Sequence, residues 1–287
     1  MALRAGARGR VDHEARRVML RRALNQKTAR HLPWLDFLEL AQSLNCVGVE
    51  ARNDLGRPIF DGIALGQAGK MARDRGLRLL GLSEVYPFND WNGERASEVR
   101  SLIETAHAAG AETISLIPRV DGQGTEDGLR QKVLRDVMRE ILPMLDGTDV
   151  VALIEPIGFD KSSLKHKAEL VGAIEDVGGP EKFKLVHDTF QHVIAGETEI
   201  FAPYAGIVHI SGISDPDVPL DETQDAHRIL VDANDRCRNI KQIEAFLAAG
   251  YDGAFSFECT EPSVQASPIL EQEIRRSFLY LETQTRS

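Results

Sequence analysis

Cysteine is scarce. The chain has three, Cys46, Cys237 and Cys259, with no metal-ligand spacing and no even set for a disulfide framework. That pattern fits a reducing setting, and the expected location is cytoplasmic. Long apolar runs are missing too. None approaches the roughly 18 residues that a membrane-spanning helix needs, so no membrane partner is expected. The arginine-rich start has no apolar segment behind it, which argues against a secretory signal. A G-x-G-x-x-G turn after the first strand is absent, which weakens a dinucleotide-binding reading.

Positive charge is short outside one segment. The first 22 residues hold seven arginines against Asp12 and Glu14, a balance of +5, while the net charge of the whole chain is −10. The remaining body is therefore strongly acidic, which argues against nucleic acid as the main partner. Residues 1–19 lack an apolar period and are expected to be a dispensable, disordered extension, upstream of a start at Met19. Residues 20–287 are expected to form one domain, since 43% hydrophobic content over this length supports a single large core.

What is present is a repeated device. Asp149-Val-Val-Ala-Leu-Ile-Glu155 is an apolar run of strand length that ends on a carboxylate, stopped by Pro156 and Gly158. Continuous apolar runs read as strands buried on both faces of a parallel sheet. Phe183–Asp188, Gly206–Gly212 through His209, and Gly253–Glu258 repeat the pattern. Earlier strands are expected at Arg21–Asn25, Cys46–Glu50, Leu77–Ser83 and Glu112–Ile117. Helical spacing places helices at 34–44, Ile63–Arg75, Glu94–Ala109, Leu129–Leu145, Ser163–Val177, Ile240–Ala249 and Ile269–Thr283. Residues 190–204 are mixed, and residues 213–238 form a long irregular loop of the kind that often binds ligands. Three times a helix ends in small residues, then Gly or Asn, then a strand. Eight strands alternating with helices predict an α/β fold, a (β/α)8 TIM barrel.

Side chains alternate along a strand. With Glu258 facing the lumen, Ser256 and Ala254 do so as well, and Phe255 and Phe257 face the helices. With Asp188 inward, His187 points outward. Glu155, Asp188, His209 and Glu258 then converge at one mouth. This mixed oxygen and nitrogen set suits a hard or borderline divalent ion. Glu50 and Glu84 also end strands and stay open as members.

The chain resembles the xylose-isomerase-like TIM-barrel superfamily, especially its inosose isomerase branch. The resemblance spans about Leu20 to Leu281. It is carried by Ile154-Glu155-Pro156-Ile-Gly158-Phe159 with Ser162-Ser163-Leu164, by Val186-His187-Asp188-Thr-Phe190 and by His209-Ile-Ser-Gly212. His227-Arg228, Gly250-Tyr-Asp-Gly253 with Phe257-Glu258, and Pro87-Phe88-Asn89-Asp90-Trp91 add to it. It implies that Glu155, Asp188, His209 and Glu258 bind one divalent metal, Mn²⁺ favoured, with Mg²⁺, Co²⁺ or Zn²⁺ as alternatives. It further implies that Glu155 and Glu258 move protons. The implied activity is isomerisation or epimerisation of a small polyhydroxy ketone through an enediolate, an inosose favoured. An inosose dehydratase or ketose 3-epimerase is the alternative, and an endonuclease-type phosphodiesterase the remote one.

Two departures from the family pattern bear on the substrate. Gln191 stands where many relatives have a substrate-contacting histidine, with His192 beside it, and Val231–Asp235 lacks a Gly-acid-Gly turn. Gln191, His192, Arg228, Lys165 and Asn25 are the expected substrate contacts. Phe88 and Trp91 either wall the pocket or pack in the core. The family also admits a homo-oligomer.

Overall fold

The computed structural model describes residues 18–286. The elements run β1 (Arg22–Asn25), α1 (Trp34–Ser43), β2 (Gly48–Arg52), α2 (Leu65–Arg73), β3 (Arg78–Val85), α3 (Gly93–Ala109), β4 (Thr113–Leu116) and α4 (Leu129–Ile141). They continue β5 (Val151–Ile154), α5 (Lys167–Asp176), β6 (Phe183–Asp188), α6 (Thr189–Ile194), β7 (Ala205–Ile210), α7 (Asn239–Ala248), β8 (Phe255–Phe257), α8 (Pro262–Gln265) and α9 (Leu270–Gln284). The strands close in chain order, β8 pairing with β1, and every pairing is parallel. This is the (β/α)8 TIM barrel that the alternation predicts.

Period-two alternation sorts the side chains into two cores. Ala23, Leu80, Leu153, Val186, Ile207 and Ala254 fill the barrel interior as one apolar cluster. Leu24, Val49, Ala51, Ile154, Leu185, Val208, Ile210, Phe255 and Phe257 belong to the cluster packed beneath the helices. The interior plug closes the base of the lumen and leaves polar side chains in the layers above it. Phe88 lies fully buried in the helix-side core, and the half-buried Trp91 packs against that core.

The repeated helix-to-strand junction has a backbone cause. Asn45, Gly110 and Gly250, each just past a helix end, adopt positive φ of 55°, 74° and 80°. The left-handed turn ends the helix and redirects the chain into a strand, which Gly accepts without strain and Asn tolerates.

Several boundaries differ from expectation for local reasons. α4 stops at Ile141 and continues as a 3-10 turn, Leu142–Met144. Pro143 lacks the N–H that a further α-turn requires. α5 begins at Lys167, not Ser163. Ser162 and Ser163 are engaged elsewhere: Ser163 donates through its backbone N and Oγ to Arg119 O (2.8 and 3.0 Å), and Ser162 Oγ bonds Leu164. β2 runs to Arg52 and β3 to Val85, each two residues beyond the expected end. The expectation for residues 1–19 lies outside the described residues except at its end. There Val18 packs on the helix-side core and Met19 is exposed.

Barrel closure is reinforced by a buried ion pair. Arg22 donates from Nε and Nη2 to the two carboxylate oxygens of Glu282, both at 2.7 Å, and from Nη1 to Leu44 O at 2.9 Å. Its guanidinium stacks on Phe278, 5.2 Å from the ring centroid. The bridge ties β1 to α9. Glu282→Gln should destabilise the fold by roughly 3–5 kcal/mol, because it leaves a buried guanidinium without its counter-charge. Chemical denaturation measures this, and a loss under about 1 kcal/mol would contradict the role assigned to the pair.

Candidate active site

Glu155 follows β5, Asp188 ends β6, His209 lies in β7 and Glu258 follows β8. Each sits where an apolar strand reaches the mouth. In the sheet register Asp188 stands beside His209, and His209 beside Ser256. One donor atom from each of Glu155, Asp188, His209 and Glu258 lies within 4.8 Å of all the others, and all four residues are buried. The structure therefore brings these four together.

Glu50 orients the histidine. His209 Nε2 donates to Glu50 Oε2 at 2.9 Å, and Ser256 Oγ donates to Glu50 Oε1 at 2.5 Å. With Nε2 committed, Nδ1 faces the carboxylates. It lies 3.3 Å from Glu258 Oε2 without hydrogen-bond alignment, and it is a buried polar atom with no hydrogen-bond partner. A carboxylate bonded to one imidazole nitrogen is the usual way to aim the other at a metal.

Asp188 caps α6, accepting from Gln191 N at 2.9 Å. Arg228, from the long loop after β7, donates through Nη2 to Asp188 Oδ2 and, at 3.1 Å, to Glu258 Oε2. Its Nε donates to Ser211 Oγ at 3.0 Å, and its guanidinium lies over Phe190 at 5.5 Å. Arg52, the last residue of β2, reaches the other side of Glu258, with Nη1 at 2.8 Å from Oε1. Glu50 stays open as a member on its strand-end position in the sequence, while the apolar pattern does not single out Arg52.

The charges divide the two glutamates. Burial pushes the Glu155 carboxyl well above the usual range, and the neighbouring Glu258 and Asp188 carboxylates add to this. Burial pushes Glu258 the same way, but His209, Arg228 and Arg52 outweigh it and hold it well below the usual range. In the metal-free protein the surroundings thus push the two like carboxyls in opposite directions. No hydrogen bond among the described residues reaches the Glu155 carboxylate. Burial disfavours a charge on His209, yet Glu50 and Glu258 outweigh it and hold its pKa well above the ordinary imidazole value.

The other expected contacts spread out. Asn25 shares the lumen face with Ala23 and stands beside Glu50 in the register. It is fully buried; Oδ1 accepts from Lys27 N, and Nδ2 has no partner. Gln191 braces the loop after β5: its Oε1 accepts from Gly158 N at 2.9 Å. A Cβ at Gly158 would come 2.4 Å from Gln191 O, so the loop and α6 meet only with glycine there. His192 bonds Lys167 Nζ at 3.0 Å and stacks on the outward-facing His187, 4.9 Å between centroids. Lys165 pairs with the exposed Asp160 at 2.5 Å. No hydrogen bond or ion pair ties His192 or Lys165 to the four clustered residues.

Three carboxylates and one imidazole nitrogen, buried and mutually close, fit a single divalent cation. The orphaned Nδ1 of His209 is the direct sign of the fit.

A family profile described as the xylose isomerase-like TIM barrel matches residues 38–283. Among solved structures, a xylose isomerase domain containing protein from Salmonella typhimurium LT2 is similar, with 28% identity and a TM-score of 0.84, over 91% of this chain and 97% of that one. The IOLI protein, crystallised with a zinc atom, aligns at 17% identity and a TM-score of 0.80, over 93% and 100% of the two chains. An L-ribulose 3-epimerase aligns at 17% identity and a TM-score of 0.71, over 93% and 96%. The latter two likenesses, at such identity, show the fold alone. No curated protein matches the chain.

The proton on His209 gives a test. Its raised pKa means that a cation must displace a proton from Nδ1 to bind there. Titrating Mn²⁺ into the protein in buffers of different ionisation enthalpy should show net proton release, from His209 and from the Glu155 carboxyl whose proton burial favours. Affinity should fall as the pH is lowered, because protons compete with the metal for the His209 and carboxylate donors. Binding without proton release, at pH-independent affinity, would mean that His209 is not a ligand.

Proposed function

The chain belongs to the xylose isomerase-like TIM-barrel family, and from that premise we propose that it is a divalent-metal-dependent isomerase or epimerase of a small polyhydroxy ketone, an inosose favoured. The observation that carries this reading is the buried cluster of two glutamates, one aspartate and one histidine at the barrel mouth, with donor atoms within 4.8 Å of one another. Glu155, Asp188, His209 and Glu258 would hold the metal, with Mn²⁺ favoured. When bound, the metal polarises a ketone oxygen and so acidifies the adjacent C–H.

The side chains supply the remaining steps. Glu258, kept ionised by its cationic neighbours, accepts the proton from the carbon beside the ketone. Glu155, at the end of β5 on the same cluster, is the carboxyl placed to return a proton at the neighbouring carbon. Asp188, bonded to Gln191 N and Arg228, holds its place and carries no proton between carbons. Asn25 Nδ2 offers an unused donor to a substrate hydroxyl. The two cations nearest the cluster, Arg52 and Arg228, are already bonded to carboxylates, which suits an uncharged ligand. An L-ribulose 3-epimerase and a 3-keto-D-glucoside 4-epimerase among the structural neighbours favour the same substrate class. An inosose dehydratase would use the same residues, so product identity decides between them. The endonuclease alternative is disfavoured because the cluster contains a single histidine.

Two isosteric variants separate the roles. Glu258→Gln keeps an oxygen donor and removes the proton acceptor, so solvent deuterium incorporation at the substrate's α-carbon should fall by about 10²–10⁴ at saturating metal. Asp188→Asn should chiefly weaken metal binding, with activity partly recovered in excess Mn²⁺. Wild-type exchange rates in Glu258→Gln would refute the two-glutamate mechanism.

A further inference from the structure

Arg52 is a charged residue in a place where charge is costly. It is the third lumen-facing residue of β2 after Gly48 and Glu50, since Val49 and Ala51 face the helix-side core. Its guanidinium is only 6% exposed. Taking such a group out of water needs several good bonds in return, and Arg52 makes four. Nη1 donates to Glu258 Oε1 at 2.8 Å, and Nη2 donates to Glu84 Oε2 at 2.7 Å and Asp54 Oδ2 at 3.0 Å. Nε donates to Asp54 Oδ1 at 2.6 Å.

Three of those bonds do not touch the four-residue cluster. Asp54 grips one edge of the guanidinium with both oxygens, and Lys27 Nζ holds Asp54 in turn at 2.5 Å. Glu84 is fixed at its backbone by a reciprocal pair with the Asn53 side chain: Glu84 N donates to Asn53 Oδ1 (2.8 Å), and Asn53 Nδ2 donates to Glu84 O (3.1 Å). The fork is thus aimed before it meets Glu258. A planar guanidinium held on one edge presents its free N–H in a fixed direction, which a lysine cannot do.

The contacts of Glu258 are split by oxygen. Oε1 takes Arg52, while Oε2 faces His209 Nδ1 and Arg228 Nη2. Without Arg52 the carboxylate could rotate and turn either oxygen inward. We propose that Arg52 is a positioning residue for the reaction: braced by Asp54 and Glu84, it holds Glu258 by Oε1 so that Oε2 alone is presented to the centre. The proposal rests on the metalloenzyme reading above and adds to it a residue that does not touch the reacting atoms. Arg228 cannot substitute, because it approaches Glu258 on the Oε2 side.

The test uses Co²⁺ as the probe metal, since its visible absorption reports ligand geometry independently of turnover, in wild type, Arg52→Lys and Arg52→Ala. Arg52→Lys should stay folded by circular dichroism and bind Co²⁺ with a shifted absorption band. Its kcat should drop by about 10- to 100-fold, the range for residues that orient metal ligands, with KM changed less than about threefold. In Arg52→Ala, millimolar guanidinium should restore part of the kcat and the wild-type absorption band, while leaving wild type unaffected. A purely structural Arg52 would give a lower melting temperature with unchanged Co²⁺ absorption and unchanged kcat per folded molecule, and that result overturns the proposal alone. A wild-type protein that takes up no Co²⁺ overturns the metalloenzyme reading, and the proposal with it.

Discussion

The structure turns on the charge balance at the mouth of the barrel. Glu50, Glu155, Asp188 and Glu258 lie together out of water, and buried carboxylates repel unless cations or protons offset them. Here the offset comes from Arg52, Arg228 and a proton-rich His209. Glu155, Asp188, His209 and Glu258 would hold a divalent cation that adds to the same balance in place of the His209 proton. The site is therefore built for extra positive charge, and each neighbour that aims a carboxylate also tunes it. The split between Glu155 and Glu258 follows from where those cations sit. Both Arg52 and Arg228 bond Glu258, and neither bonds Glu155.

That concentration of charge is tolerated because the rest of the barrel is apolar and fixed. The interior plug around Leu153, Val186 and Ile207 seals the base, so the polar layers have water only on the open side. Strand register fixes the angular order of the ligands, and Asp188 beside His209 is a backbone fact before it is a side-chain one. Loops add the finer placement. Phe190, Ile213 and Cys237 form a small apolar cluster beneath α6 and the loop after β7, which together bring Gln191 and Arg228 to Asp188.

The fold was legible because its signals are periodic and redundant: eight apolar strands, seven of the helices between and after them, and Asn45, Gly110 and Gly250 marking three junctions. Within the site, Glu155, Asp188, His209 and Glu258 stood out as polar residues closing apolar runs. Arg52 did not, because the apolar run of β2 reads as ending at Glu50. The strand continues through Arg52 on tertiary pairing to β3, where Arg52 stands opposite Ser83. A charged residue two places beyond Glu50 on the same face was the available clue. The positions of Lys165 and His192 were beyond reach for a different reason. Ser162 bonds Leu164 in its own loop, Ser163 bonds Arg119 in the segment after β4, and α5 starts late, while the Lys167 contact fixes His192. Such contacts between distant segments leave no period in the sequence.

The claim that unites these features is that the buried cluster is a one-metal centre for moving a proton between adjacent carbons of a polyhydroxy ketone. The direct measurement is product identification by ¹³C NMR after incubating the full chain with Mn²⁺ and 2-keto-myo-inositol, alongside a sample stripped with chelator. The account predicts an isomeric ketone of unchanged mass in the Mn²⁺ sample and unreacted substrate in the stripped one. A product lighter by one water, or conversion that proceeds equally without metal, would contradict it.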